Sequence, residues 1–529
     1  MGKLWYGGKI YTLTEPNATV EAIYTENGSI VEIGNKVSLE RRYKNKIEAS
    51  YNLIGDTMYP GFVDSHLHII GHGEKLTRLD LSPMTSANQV LEAVRNKQHQ
   101  LERGEWLIAE GWNENQWTNA KIISRWDLDK ACPKNPVLLT RICRHAVIVN
   151  SKALELACIT KETKDPQGGK IVRNEMGEPT GYLLDKAQDL IKQILSPISN
   201  SQLEKTTEVA IKDLLSKGLV GGHTEDLSYY GGFERTLQAY QHILPAKYKF
   251  RAHLLVHHLV FDDMIESGLS YGDGGPFTTL GAMKIFSDGA LGGRTAWLTD
   301  VYTDDQDNYG IPIHESDRLE ELVRKARKYD HPIAVHAIGD KAVEEVAKLI
   351  KKYPLKNGKR DRIIHAQIIN KNVLSLLKEI NVVLDIQPSF VSSDFPWVLE
   401  RIGDERAPLA YAWRTFIEEG IACAAGSDAP IEEVNPLNGI KAAVSRQSDL
   451  DQQAYGETQK LSMYEAVSLY TKGSAFVINH EHDRGLIQPG YVADFTILSH
   501  DLFSIENYET IDEVTVKGTI VDGEWMYKA

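Results

Sequence analysis

The sequence predicts an α/β protein: a distorted (β/α)8 TIM barrel, with a composite β-sandwich domain from both termini and an inserted α/β subdomain after strand one. Three observations carry this. Apolar runs flanked by helical stretches recur through the middle of the chain, both ends are rich in short strands with glycine turns, and the interval after the first run is too long for one loop and helix.

The N-terminal end, residues 1–57, reads as strands with turns at Gly7-Gly8, Asn27-Gly28 and Gly34-Asn35. The C-terminal end, residues 481–529, reads the same way, so the two are expected to form one β-domain. Barrel strands are expected at Met58–Asp64, Leu219–His223, Arg251–Val256, Ala282–Phe286, Ile333–His336, Arg362–His365, Val382–Ile386 and Ala422–Ala425. Segments between them, such as Asp317–Tyr329 and Lys341–Lys352, have helical spacing and good helix formers. The barrel spans residues 58–480, and residues 75–200 are read as the insertion, a subdomain capping the barrel.

Composition narrows the function. Hydrophobic residues make up 42% and charged residues 25% of the 529, a soluble globular balance. A formal charge of -14 and the lack of a long basic run argue against nucleic acid as a partner. No stretch has the roughly 20 apolar residues of a membrane span, and the first residues lack a signal-peptide core, so a cytoplasmic location is the default. Cys132, Cys143, Cys158 and Cys423 are scattered and read as buried free thiols. The expected partner is a small-molecule substrate; homo-oligomer formation is left open.

The chemistry concentrates at strand ends. Pro60-Gly61-Phe62-Val63-Asp64-Ser65-His66-Leu67-His68 is an apolar strand ending in His-x-His, and alternate strand residues project the same way, so both imidazoles can face one point. Two neutral imidazoles suit a divalent metal such as zinc. His336 closes another apolar run, His365 closes a third, and Asp428 follows Ala422-Cys-Ala-Ala-Gly-Ser. Polar residues at strand carboxyl ends mark the catalytic face of a barrel. No Gly-x-Ser-x-Gly elbow, catalytic-cysteine signature or phosphate-binding loop offers another route.

These residues also carry a resemblance. Gly61 to His68, Gly111-Trp-Asn-Glu-Asn-Gln-Trp, His145 with Asn150-Ser151, Lys284-Ile-Phe-Ser-Asp-Gly-Ala-Leu-Gly-Gly-Arg-Thr-Ala, His336-Ala-Ile-Gly-Asp, His365-Ala-Gln, Gly426-Ser-Asp-Ala-Pro and Ala493-Asp494 occur in order. The chain resembles the amidohydrolase superfamily, and within it the YtcJ-like (amidohydrolase-3) branch that includes N-substituted formamide deformylases. The resemblance implies a carbon-nitrogen hydrolase whose nucleophile is a metal-bound hydroxide. It implies that His66 and His68 hold the more buried metal, and His336 and His365 the more exposed one. Lys284 would be carboxylated by CO2 and bridge them, making a binuclear centre, and Asp428 would ligate weakly and act as general base. A lysine carbamate suits this place because it offers oxygens and negative charge, which an ammonium cannot; an ordinary salt bridge to Asp288, or a bare lysine beside a single metal, stays open.

His145 and Arg294 fall in matching blocks and can hold the substrate or serve the structure. Trp112 and Trp117 can wall the pocket, although core packing is the commoner fate of tryptophan; Phe390 and Trp397 likewise hint at an apolar or aromatic substrate group. His72, His223, His257 and His258 are read as core or supporting residues, Asp288 and Asp340 as orienting groups, and Asp64 as a structural hydrogen-bonding group. Rival readings are a non-catalytic scaffold, or the same centre acting on an ester, a phosphoester or a ring amine. Metal identity, and one ion or two, is open.

Overall fold

The computed structural model describes residues 2–114, 117, 121–141, 146–166, 169–195, 198–356 and 358–529. It divides into two compact units, one of Met1–His72 with Asn200–Ala529 and one of Gly73–Ser199.

The first unit contains the barrel sheet. Its strands Phe62–Leu67, Leu219–Thr224, Arg251–His257, Thr278–Phe286, Ile333–Ala337, Asp361–His365, Val382–Ile386 and Ala422–Ala425 pair in that order, each parallel to the next. Seven of the eight apolar runs read from the sequence are these strands, two with the same ends and five with one end shifted by one to four residues. The first run is split. Thr57–Pro60 belongs to the terminal sheet, antiparallel to Phe495–Leu498, and the barrel strand starts at Phe62. The switch falls at Gly61, whose N–H donates to the Asp494 carbonyl and whose missing side chain leaves room for Val220. Periodicity does not reveal it, because both pieces are apolar and buried.

The barrel sheet nearly closes. Strands one and eight end the hydrogen-bonded path, and a side chain joins them instead. The buried Asp64 carboxylate accepts from the His66 N–H at 3.0 Å and the Ser427 N–H at 3.0 Å, and the Asp428 N–H donates to the His66 carbonyl at 2.8 Å. This approach requires Gly426, since a Cβ there would lie 2.7 Å from both Asp64 Oδ1 and the His66 oxygen. Gly426→Ala is therefore expected to cost roughly 1–3 kcal/mol by overpacking, read as a lower urea midpoint; an unchanged midpoint would contradict this account of closure.

The terminal strands Gly2–Tyr11, Thr19–Glu26, Ser29–Gly34, Ile47–Asn52, Thr57–Pro60, Phe495–Leu498, Val516–Val521 and Glu524–Lys528 form one eight-stranded sheet. Where the sequence suggested a sandwich, hydrogen bonds link all eight strands, and the sheet branches at Gly2–Tyr11, which pairs with three neighbours. Trp5, Ile23, Met58, Phe495 and Ile520 make its core. Arg251 of barrel strand three meets Asp494 in a buried bidentate ion pair, and Thr496 Oγ1 accepts from the Phe62 N–H while donating to the Gly218 carbonyl. These bonds tie the terminal sheet to the barrel.

The second unit is built on a six-stranded sheet in the order Gly169–Arg173, Pro179–Asp185, Ala146–Val149, Val137–Arg141, Leu107–Trp112 and Leu79–Asp80. Helices Ala87–Gln98, Arg125–Ala131 and Ser151–Leu156 belong to it. Cys132 and Cys423 are buried thiols as expected; Cys158 is exposed, because it follows the end of a helix at the surface of this unit, and Cys143 lies outside the described residues. No helix of the described residues is long and apolar enough to cross a membrane.

Candidate metal centre

Strand one presents His66 at its end and His68 just beyond, so the two-residue repeat aims both rings the same way. Asp428 Oδ1 lies 3.4 Å from His66 Nε2 and 3.5 Å from His68 Nε2. Lys284, wholly buried on strand four, brings Nζ to 3.3 Å from His66 Nε2. The His365 ring centroid is 5.7 Å from that of His66 and 4.5 Å from that of His336. All six residues are thus linked by direct neighbours. Two of them sit in left-handed backbone, His365 at φ 82° and Asp428 at φ 57°, a conformation that non-glycine residues hold chiefly where surrounding structure compels it, often at working sites.

Hydrogen bonds decide which ring nitrogens remain free. His68 Nδ1 donates to the Glu225 carbonyl at 2.8 Å, His336 Nε2 to the Gly289 carbonyl at 3.0 Å, and His365 Nδ1 to Gln387 Oε1 at 2.7 Å. Carbonyl oxygens only accept, so each bond places the proton on that nitrogen. In the neutral rings this leaves lone pairs on His68 Nε2, His336 Nδ1 and His365 Nε2, the arrangement that supports metal ligation. Two donors about 2.0–2.1 Å from one zinc stand about 3.3 Å apart in tetrahedral geometry, close to the separations of Asp428 Oδ1 from the two imidazoles. The ligand atoms of His66, His68 and Asp428 all lie within 4.8 Å of one another. The residues therefore fit a divalent cation.

The charges agree with this. Burial, then the Lys284 charge, holds His66 well below the usual imidazole range; burial does the same to His336 and pushes His365 down to about 4. Burial also lowers the Lys284 amine, against the opposing pull of Glu225 and Asp428. Burial would raise Asp428, but the His68 hydrogen bond and the surrounding positive charge outweigh it, and the carboxyl is lowered. His68 goes the other way: burial lowers it, but Asp428 lifts it to about 9. Without a cation, then, His68 carries on Nε2 the proton whose charge balances Asp428; a dication held by His66 and His68 would supply that charge instead, and His68 would be neutral.

A family model described as the amidohydrolase family matches residues 50–527. The chain belongs to this family. Putative amidohydrolase YtcJ of Bacillus subtilis (strain 168) is 48% identical to it, with 100% of each chain covered. The crystal structure of an uncharacterized metal-dependent hydrolase from Pyrococcus furiosus is similar at a TM-score of 0.82 and 28% identity, covering 95% of this chain and 100% of that one. N-substituted formamide deformylase of Arthrobacter pascens is 23% identical, over 98% of this chain and 97% of its own.

The other residues of this amidohydrolase singled out by sequence are engaged in contacts of their own. Trp112 and Trp117 are buried in the apolar core of the second unit, with indole N–H groups committed to the Leu139 and Met84 carbonyls, so they pack there as core residues. Arg294 is held in a bidentate ion pair by Asp304, at 3.1 and 2.7 Å. His145 lies outside the described residues. Asp288 does not bond to Lys284; it accepts the Trp297, Ile338 and Gly339 N–H groups and shapes the loop beside His336. Asp340 joins Thr299 to Asn370, and His72 pairs with Asp213 at 2.8 Å. Phe390 stacks on His365 at 6.1 Å.

Sequence reading missed Glu225 and Gln387. Both follow directly on barrel strands, two and seven, so the strand-end rule that found the histidines would have found them. Glu225 is fully buried, raised to about 7 by burial, and accepts from the Tyr229 hydroxyl at 2.8 Å.

Proposed function

We propose that this amidohydrolase-family protein is a metal-dependent hydrolase that cleaves a non-peptide carbon-nitrogen bond in a small amide. The convergence of His66 Nε2, His68 Nε2 and Asp428 Oδ1, with Lys284 Nζ beside them, carries the reading. His66 and His68 would hold one divalent cation, zinc in the first instance, and His336 and His365 a second. Such a cation supplies Lewis acidity, lowering the pKa of water and polarising a carbonyl.

The chain's own groups do the rest. Asp428, ionised at neutral pH, accepts the proton of the attacking water and returns it to the leaving nitrogen, which needs one carboxylate within reach of both atoms. The Glu225, Gly289 and Gln387 acceptors keep the histidines in the ligating tautomer. Lys284, whose amine burial pushes toward the neutral form, would add CO2: an N–C bond would form as one C–O π bond of CO2 opens, a proton would leave to solvent, and the carbamate would offer its two oxygens to the metal positions. The deformylase relative makes N-substituted formamides the first substrates to try.

The test is elemental analysis of the purified protein, followed by an amide and cyclic-amide library with esters and phosphotriesters as controls. Chelation is expected to abolish turnover and lower the melting temperature, and zinc to restore both, because a ligand bound to the folded state alone stabilises it. A protein that takes up no divalent metal and hydrolyses no amide after loading would end this reading.

A further inference from the structure

One buried imidazole in the barrel is not used by the chemistry above. His257 ends strand three in parallel register with Lys284 on strand four. Register partners in a parallel pair project to the same face, so His257 shares the face from which Lys284 reaches His66. Its ring lies 5.8 Å from Phe286 and 6.2 Å from Tyr229. Phe286 in turn stands 5.2 Å from His336, and Tyr229 stands 6.4 Å from His68. His257 therefore lies between aromatic side chains that each touch a candidate ligand. His258 stacks on it at 4.4 Å and is anchored by its own N–H on the Lys284 carbonyl.

The tautomer is set by the backbone. The Leu259 N–H donates to His257 Nδ1 at 3.2 Å, so in the neutral ring the hydrogen sits on Nε2. No acceptor among the described residues pairs with Nε2, although the residue is only 6% exposed. Nε2 is not among the buried side-chain atoms that lack a partner, so this N–H stays open to solvent and is free to meet an acceptor. An arriving ligand with an acceptor atom supplies it. In an amide that atom is the oxygen, because the nitrogen lone pair is delocalised into the carbonyl.

We propose that His257 Nε2–H donates a hydrogen bond to the carbonyl oxygen of the bound substrate, a bond that tightens as the oxygen gains charge in the tetrahedral state. The proton stays on Nε2 throughout. This assignment rests on the hydrolase reading and adds a substrate-contacting residue to it. Removing one such donor costs about a hundredfold in kcat.

The experiment compares zinc-loaded wild type, His257→Leu and His257→Gln, using p-nitroformanilide, or the best amide of the library, for turnover and phenylphosphonate as a tetrahedral mimic for calorimetric binding. The Leu variant should keep its metal, lose about a hundredfold in kcat with a smaller change in KM, and bind phenylphosphonate about tenfold more weakly. The Gln variant, which places an amide N–H near the position of Nε2, should recover at least part of both, and this rescue is what a purely structural role would not produce. If the Leu variant turns over and binds like wild type, or if both variants lose metal equally, the assignment is overturned and the hydrolase reading stands. If wild type loads metal but hydrolyses no amide, the hydrolase reading fails and this assignment goes with it.

Discussion

Asp428→Asn is expected to lower kcat about a thousandfold, the span general acid–base catalysis covers, while metal content and melting temperature stay near wild type. Asparagine has the same shape, and it is among the few residues that accept left-handed backbone, so φ 57° at this position is preserved. The N–H bond to His66 that helps close the barrel is also untouched. What disappears is the negative charge and the ability to take a proton. Residual turnover should lose the limb of the pH profile that reports ionisation of this carboxyl. The measurement is kcat against pH with metal analysis of the same samples; activity within tenfold of wild type would mean that the proton goes elsewhere.

Lys284→Ala is expected to remove metal and activity together, with turnover down about a hundredfold or more, beyond what loss of a supporting group alone does. Millimolar acetate or propionate should restore part of both. The side chain is wholly buried 3.3 Å from His66 Nε2 and over the Phe286 ring. Truncation leaves a space of its own shape beside a candidate ligand, and a short carboxylate entering there puts back two oxygens and a negative charge. An ammonium with no role beyond charge balance could not be replaced by an anion. In wild type, label from ¹³C-bicarbonate should appear in a resonance that the Ala variant lacks. Full metal occupancy in Lys284→Ala, or rescue by amines rather than acids, would remove the carbamate.

Much of this is legible in the sequence alone. His66 and His68 announce themselves because a strand alternates its side chains, a rule that needs no partner. His336, His365 and Asp428 follow because an apolar run ending in a polar residue is what a buried parallel strand looks like. Other features were not legible, for reasons of the same kind. The split at Gly61 depends on which sheet each half joins, and both halves are equally apolar. Trp112 and Trp117 can be read from sequence as pocket walls, although core packing is the commoner fate of tryptophan, and only the bonds of their N–H groups within their own unit show that fate. For Arg294 the sequence leaves a substrate role and a structural role side by side, because nothing in it names Asp304 as the ion-pair partner.

Local pattern therefore specified the strands, the barrel and the residue types offered to a cation, since strand period and polarity at strand ends are properties of consecutive residues. Three-dimensional closure decided the rest: that Asp64 and a bare Gly426 join strands one and eight, that Glu225, Gly289 and Gln387 select the free nitrogen of each imidazole, and that His257 keeps an uncommitted donor. These depend on directed bonds whose two ends can stand far apart in the chain, 157 residues for His68 and Glu225 and 363 for Asp64 and Ser427. Direction and distance across such gaps are set by register and barrel closure, which no window of neighbouring residues contains.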